Sequence, residues 1–96
     1  MPGLRYSDGA ARDLVGIAVY TRHNWGEAQA VRYVNALEDC CHRLAEHPEM
    51  GRPCDAIRPG LRRLEEGSHV IFYRQRSRGV VISRILHRSM LPQGRV

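Results

Sequence analysis

The chain contains no lysine; all fifteen basic residues among its 96 are arginine. A G-x4-G-K-[ST] phosphate loop is therefore impossible, and no G-x-G-x-x-G run is present either, so a nucleotide cofactor is not expected. Cysteine is scarce and odd in number: Cys40, Cys41 and Cys54. Adjacent cysteines rarely bridge each other, and with His42 and His47 they match no ligand spacing that closes a tetrahedron, so neither a disulfide nor a metal site is expected. Reduced thiols packed as small apolar side chains remain. The longest apolar run, Leu14 to Tyr20, has seven residues, far short of the roughly 20 needed to span a bilayer. Residues Met1 to Arg5 have neither the charged start nor the apolar stretch of a signal peptide, which predicts a cytoplasmic protein with no membrane partner.

What is present fits one ordinary globular domain of 11.0 kDa, with 43% hydrophobic and 26% charged residues. The net charge of +5 is unevenly placed. Residues 1–50 carry five arginines against seven carboxylates, and residues 51–96 carry ten against three. Arginine's planar fork suits bidentate contact with carboxylate or phosphate. A basic half-surface of this kind implies an acidic macromolecular partner.

The pattern predicts the order β-α-α-β-β-β. A short strand at 4–6 precedes Ser7, a good N-cap residue, and a helix over 8–24 follows with Leu14, Ile17 and Thr21 on its apolar face. Asn24, Trp25 and Gly26 end it. A second helix over 27–47 carries Ala30, Val34, Leu37, Cys41, Leu44 and Ala45 on one face. The short linker folds the two into an antiparallel hairpin. Trp25, Tyr33, Leu37, Leu44 and Phe72 are expected to pack in the interior with Leu14 and Ile17. Prolines and glycines mark 48–60 as one long connection, after which strands at 61–65, 69–75 and 80–87 form two hairpins, with a tail at 91–96. In the middle strand Val70, Phe72 and Arg74 share one face, and His69, Ile71 and Tyr73 the other. In the last strand Val80, Ile82, Arg84 and Leu86 should alternate with Val81, Ser83, Ile85 and His87. That strand reads as central, one face under the helices and the other partly covered or kept for a partner.

Catalytic groupings are hard to find. Ser68 and His69 are successive residues of an extended segment and point to opposite faces, so they cannot act as nucleophile and base. The carboxylates of the helices are scattered over solvated faces. One constellation remains in the sheet half: Arg58, Arg62, Arg63, Arg74, Arg76, Arg78, Arg84, His87 and Arg88. It suits a binding surface, or a metal-free phosphodiester chemistry in which His and Tyr move protons.

The ordered motifs resemble those of ParE toxins. They run from Tyr20, Thr21, Trp25, Gly26, Gln29, Ala30, Tyr33 and Leu37 through Leu44, Ala45, Pro48, Gly51 and Arg52. Arg58-Pro59-Gly60-Leu61-Arg62-Arg63, Gly67-Ser68-His69, Ile71-Phe72-Tyr73-Arg74 and Ile85-Leu86-His87 with Met90 follow in register. The likeness covers about residues 4–90. Leu91 departs from it, standing where the family commonly has Asp. The resemblance implies a RelE/ParE-like fold, an α+β arrangement with a two-helix hairpin packed on a small antiparallel sheet. It implies the toxin of a type II toxin-antitoxin pair, directed at DNA gyrase and neutralised by a ParD-like antitoxin, with DNA met only through those partners. Such toxins act by binding, without catalytic residues or cofactor. Arg58, Arg62, Arg63, Tyr73, Arg74, Arg84, His87, Arg88 and Met90 are then the expected contacts. The rival expectation is a RelE-type ribosome-dependent messenger ribonuclease on the same scaffold, using His87 and Tyr73 as acid or base with Arg84 on the phosphate. A plain nucleic-acid-binding module is a third.

Overall fold

A computed structural model describes residues 3–90; the 91–96 tail and Leu91 lie outside the described residues. The chain forms β1 (Gly3–Tyr6), α1 (Asp8–Trp25), α2 (Glu27–Glu46), a 3-10 turn (Pro48–Met50), β2 (Arg52–Pro53), β3 (Leu61–Glu66), β4 (His69–Arg76) and β5 (Gly79–His87). Ser7 caps α1 by accepting a hydrogen bond from the Ala10 N–H at 3.0 Å, and its own hydroxyl donates to the Ser83 carbonyl at 2.6 Å. One side chain thus fixes both the start of the helix and its position against β5. Gly26 joins the helices with φ 92°, where a Cβ would be strained.

The five strands lie in the order β1-β5-β4-β3-β2, so β5 is internal. The sheet is mixed where a purely antiparallel one was expected, because β1 pairs parallel with β5. Tight turns impose antiparallel pairing on β3, β4 and β5, whereas β1 reaches β5 only after the whole helical hairpin intervenes. The 48–60 segment is more than a loop. Its 3-10 turn and β2 line the β3 edge, where Pro53 is tolerated because a two-residue edge strand needs no second ladder. No helix among the described residues is long and apolar enough to cross a membrane.

The hairpin covers one face of the sheet. Leu37, Cys40, Cys41 and Leu44 of α2 and Ala10 and Ile17 of α1 pack on Ile71, Tyr73, Val80, Ile82 and Ile85. Cys40 and Cys41 are wholly buried, and burial pushes the Cys41 thiol up to about 12. Leu61, Val70, Phe72 and Leu86 form a smaller cluster on the opposite face under Cys54 and Ile57. Strict alternation in β5 fails at one point. Tyr73 pairs with Ile82 and Phe72 with Arg84, which leaves Ser83 as an extra, bulged residue. The bulge places Ile82 and Ile85 on the helix side together and Leu86 on the other.

Trp25, expected in the interior, is 71% exposed. It is the last residue of α1 at the hairpin corner, where neither helix continues far enough to cover its ring. Leu14 and Tyr33 are partly buried against the main cluster, while Leu37, Leu44 and Phe72 are buried in full or nearly so.

Candidate functional site

The strand register separates the nine expected contact residues. Arg74 pairs with Leu61 at one end of the sheet, and His69 pairs with His87 and Glu66 at the other. Four residues of β4 lie between Arg74 and His69, and the five steps span about 17 Å at the usual rise per residue. Arg58, Arg62 and Arg74 belong to the first end; His87, Arg88 and Met90 belong to the second.

At the first end, Arg58 is exposed in the turn before β3. Arg62 and Arg63 point to opposite faces. The Arg62 cross-strand partner is the helix-facing Tyr73, and its Nη2 reaches the Glu49 carbonyl at 3.3 Å. Arg63 lies on the outer face, its guanidinium carbon 5.6 Å from the Phe72 ring centroid and one terminal nitrogen 3.0 Å from Glu65. Burial alone would raise the Glu65 carboxyl, but the hydrogen bond from Arg63 and the charge of Arg52 outweigh it and hold the carboxyl below the usual range. Arg74 shares the outer face with Leu61. Among the described residues, the Nε of Arg62, the Nε of Arg63 and one terminal nitrogen of Arg74 are covered yet donate to no protein acceptor.

Two residues expected on this surface are spent elsewhere. Tyr73 is 0% exposed; its hydroxyl donates to the Pro48 carbonyl at 2.7 Å and accepts from the Gly51 N–H at 2.8 Å. It fell inside because its strand face is the one the helices cover, and its phenol ties the 3-10 turn to the sheet. Arg84 is turned onto α1. Its Nε and Nη2 donate to Asp13 at 2.8 and 2.9 Å, and the same carboxylate accepts the Ile85 N–H at 2.8 Å. The Arg84 chain crosses Gly9, where a Cβ would lie 2.9 Å from its Cδ. The hydrogen bond to Asp13 raises the already high Arg84 value further.

At the second end a residue group gathers that the sequence argument did not assemble. The Tyr33 hydroxyl lies 2.7 Å from His69 Nδ1 and accepts the Ser68 N–H at 3.0 Å. The His69 and His87 rings meet edge to face, centroids 5.4 Å apart. Burial, and next the neighbouring His87, depress the His69 value below its ordinary 6.5. The Tyr33 hydroxyl donates to the Glu66 carbonyl at 3.4 Å. His87 is exposed, with Nδ1 2.7 Å from the Ser89 hydroxyl, and Arg88 donates to the Gly67 carbonyl at 2.9 Å. Met90, 40% exposed, lines a hollow with Tyr20 and both histidines. The available signal was register: pairing 69 with 87 would have brought the histidines together, and helical spacing would have placed Tyr33 above them.

The fold and these surfaces define a class, the small α+β proteins in which a helical hairpin packs on a mixed sheet edged by arginines. Two solved structures show the same fold: a chromosomal ParDE system from P. aeruginosa, with a TM-score of 0.77 at 24% identity over 91% of this chain and 96% of the other, and the RelBE2 toxin-antitoxin complex of Mycobacterium tuberculosis, with 0.69 at 23% over 91% and 99%. Residues 4–92 match the family described as the ParE toxin of the type II toxin-antitoxin system, parDE. Toxin ParE1 of Caulobacter vibrioides is 44% identical over 90 residues, which span 94% of this chain and 93% of that protein. The chain belongs to the ParE toxin family.

Proposed function

We propose that the chain inhibits DNA gyrase in the bacterial cytoplasm by binding it, and that a ParD-like antitoxin neutralises it by direct contact. Family membership supplies the class of activity. The observation that carries the mode of action is the state of the sheet arginines. Arg58, Arg62 and Arg74 reach solvent and have no carboxylate partner among the described residues, and such guanidiniums gain most when a carboxylate or phosphate arrives. An acidic, partly apolar antitoxin segment folding onto the chain meets that need, and its ordering cost is offset by buried apolar area. The two structural neighbours, a ParDE toxin-antitoxin system and the RelBE2 toxin-antitoxin complex, support the same arrangement.

Action without catalysis is favoured by what became of the alternative trio. A ribonuclease using His87, Tyr73 and Arg84 needs them around one phosphate. Here Tyr73 is buried with its hydroxyl engaged, Arg84 is clamped to Asp13, and His87 stands at the exposed strand end. The test is a supercoiling and cleavage assay with purified gyrase, run beside in vitro translation with an RNA integrity check. Trapped gyrase-cleaved DNA with intact messenger is expected. Messenger cleavage with gyrase unaffected would refute the proposal.

A further inference from the structure

A cleft between the Trp25 corner of the helical hairpin and the His87 end of the sheet is left unused by the arginine surface. It comprises two hollows of about 580 and 510 Å³ that adjoin at Tyr20, His69 and His87. Tyr20 and Trp25 stand on its helical wall, 66% and 71% exposed. Large aromatic faces so open on a small domain point to a partner that uses them. Arg32 lies at one end and Arg12 at the other. Neither has a carboxylate partner among the described residues; Arg32 donates only to Gln29. The carboxylate that lines the cleft, Asp13, is already held by Arg84. The site is therefore cationic at both ends and aromatic between them.

Exposed rings flanked by unneutralised guanidiniums are what a single strand requires, with bases stacking on the rings and phosphates meeting the charges. Around the rings stand Thr21, Gln29 and Ser68; the aliphatic side chains Ile17, Ile85, Leu86 and Met90, which an apolar polypeptide anchor would want, line the adjoining hollow away from Trp25. We infer that the Tyr20–Trp25 cleft is a binding site for single-stranded nucleic acid, one base on each ring and phosphates against Arg12 and Arg32. Direct contact with nucleic acid departs from the expectation that the chain meets DNA only through other proteins, and it stands independently of the gyrase and antitoxin proposal.

Trp25 is the single tryptophan of the chain, so its fluorescence reports on this cleft alone. Titrating the full chain with a short oligothymidylate should quench Trp25 saturably, with affinity falling as salt rises. Tyr20→Ala removes an exposed ring and should weaken binding about tenfold, the scale of one lost base–aromatic stack. Trp25→Ala, followed by anisotropy of an end-labelled oligonucleotide, should weaken it equally, and Arg32→Ala should weaken it and flatten the salt slope by about one charge. Far-UV circular dichroism checks that each variant is folded. Inorganic phosphate, duplex DNA of the same length and polyglutamate serve as competitors. Equal affinity for polyglutamate would assign the cleft to an acidic polypeptide, and equal affinity for phosphate would reduce it to an anion site. Equal affinity for duplex, or undiminished binding by both aromatic variants, would place the interaction on general basic charge. Each of these overturns the inference.

Discussion

Replacing Asp13 by Ala should destabilise the fold substantially, and the structure allows the size to be worked out. β1 pairs with β5 only as far as Ile82. Beyond that point β5 has no neighbouring strand on this edge; the Ser7 hydroxyl donates to the Ser83 carbonyl and the Asp13 carboxylate accepts the Ile85 N–H at 2.8 Å. Ile85 is 2% exposed, and leaving its N–H short of an acceptor costs about 1–3 kcal/mol, least where water enters from the hollow that Asp13 lines. The Arg84 pair adds less. Its side chain is 29% exposed, solvent screens the charge, and about 1 kcal/mol is a fair share. The total, about 2–4 kcal/mol, is a large part of the ~5–15 kcal/mol that holds a typical domain folded. For a chain of this size it corresponds to a fall in Tm on the order of 10–25 °C. Urea unfolding followed by far-UV circular dichroism is the appropriate measurement, because exposed Trp25 gives little fluorescence contrast. Asp13→Asn keeps an acceptor for Ile85 but turns an amide toward Arg84, and should cost roughly half as much. A cycle with Arg84→Met should show coupling of at least about 1 kcal/mol. A loss under about 0.5 kcal/mol for Asp13→Ala, or strict additivity in the cycle, would refute the reasoning.

Three further outcomes follow from the buried polar groups. Tyr73→Phe strips the donor from Pro48 and the acceptor from Gly51 and should cost about 1–3 kcal/mol, with faster amide exchange at Gly51; unchanged stability would contradict the interior role of the phenol. His69 should titrate below 6.5 in NMR, and His87→Gln should raise its midpoint. Because folding lowers this value, its contribution to stability is complete above pH 6.5 and is lost as pH falls toward the folded midpoint, the unfolded chain taking up the proton first; an unshifted midpoint would remove the effect. Native chain should react with a thiol reagent at Cys54 well before Cys40 or Cys41, both of which burial protects; rapid labelling of all three would show that the helix-sheet interface opens readily.

Much of the architecture was readable because it rests on local repeats. The three-and-four spacing of α2 marked the face that carries Leu37, Cys41 and Leu44, and the turn signals around Gly67 and Gly79 marked the two hairpins. The parallel placement of β1 was not readable, since no turn connects it to β5. The Ser83 bulge was equally hidden: one extra residue changes which side chains face the helices, yet it leaves the hydrophobic count of the strand unaltered. Among site residues, the opposed directions of Arg62 and Arg63 followed from strand geometry alone. The fate of Tyr73 and Arg84 did not, because it depended on which face the hairpin covers and on Asp13, seventy-one residues from Arg84 along the chain.

The sequence by itself determined the element types, the helical hairpin, the basic carboxyl-terminal half and the family resemblance. All of these are properties of composition and short-range spacing. Only tertiary structure decided which arginines keep idle donors, which is locked to a carboxylate, and which aromatic rings stand open beside the paired histidines. Those outcomes depend on register and on long-range contact, where a shift of one residue sends a side chain to the opposite face of the sheet.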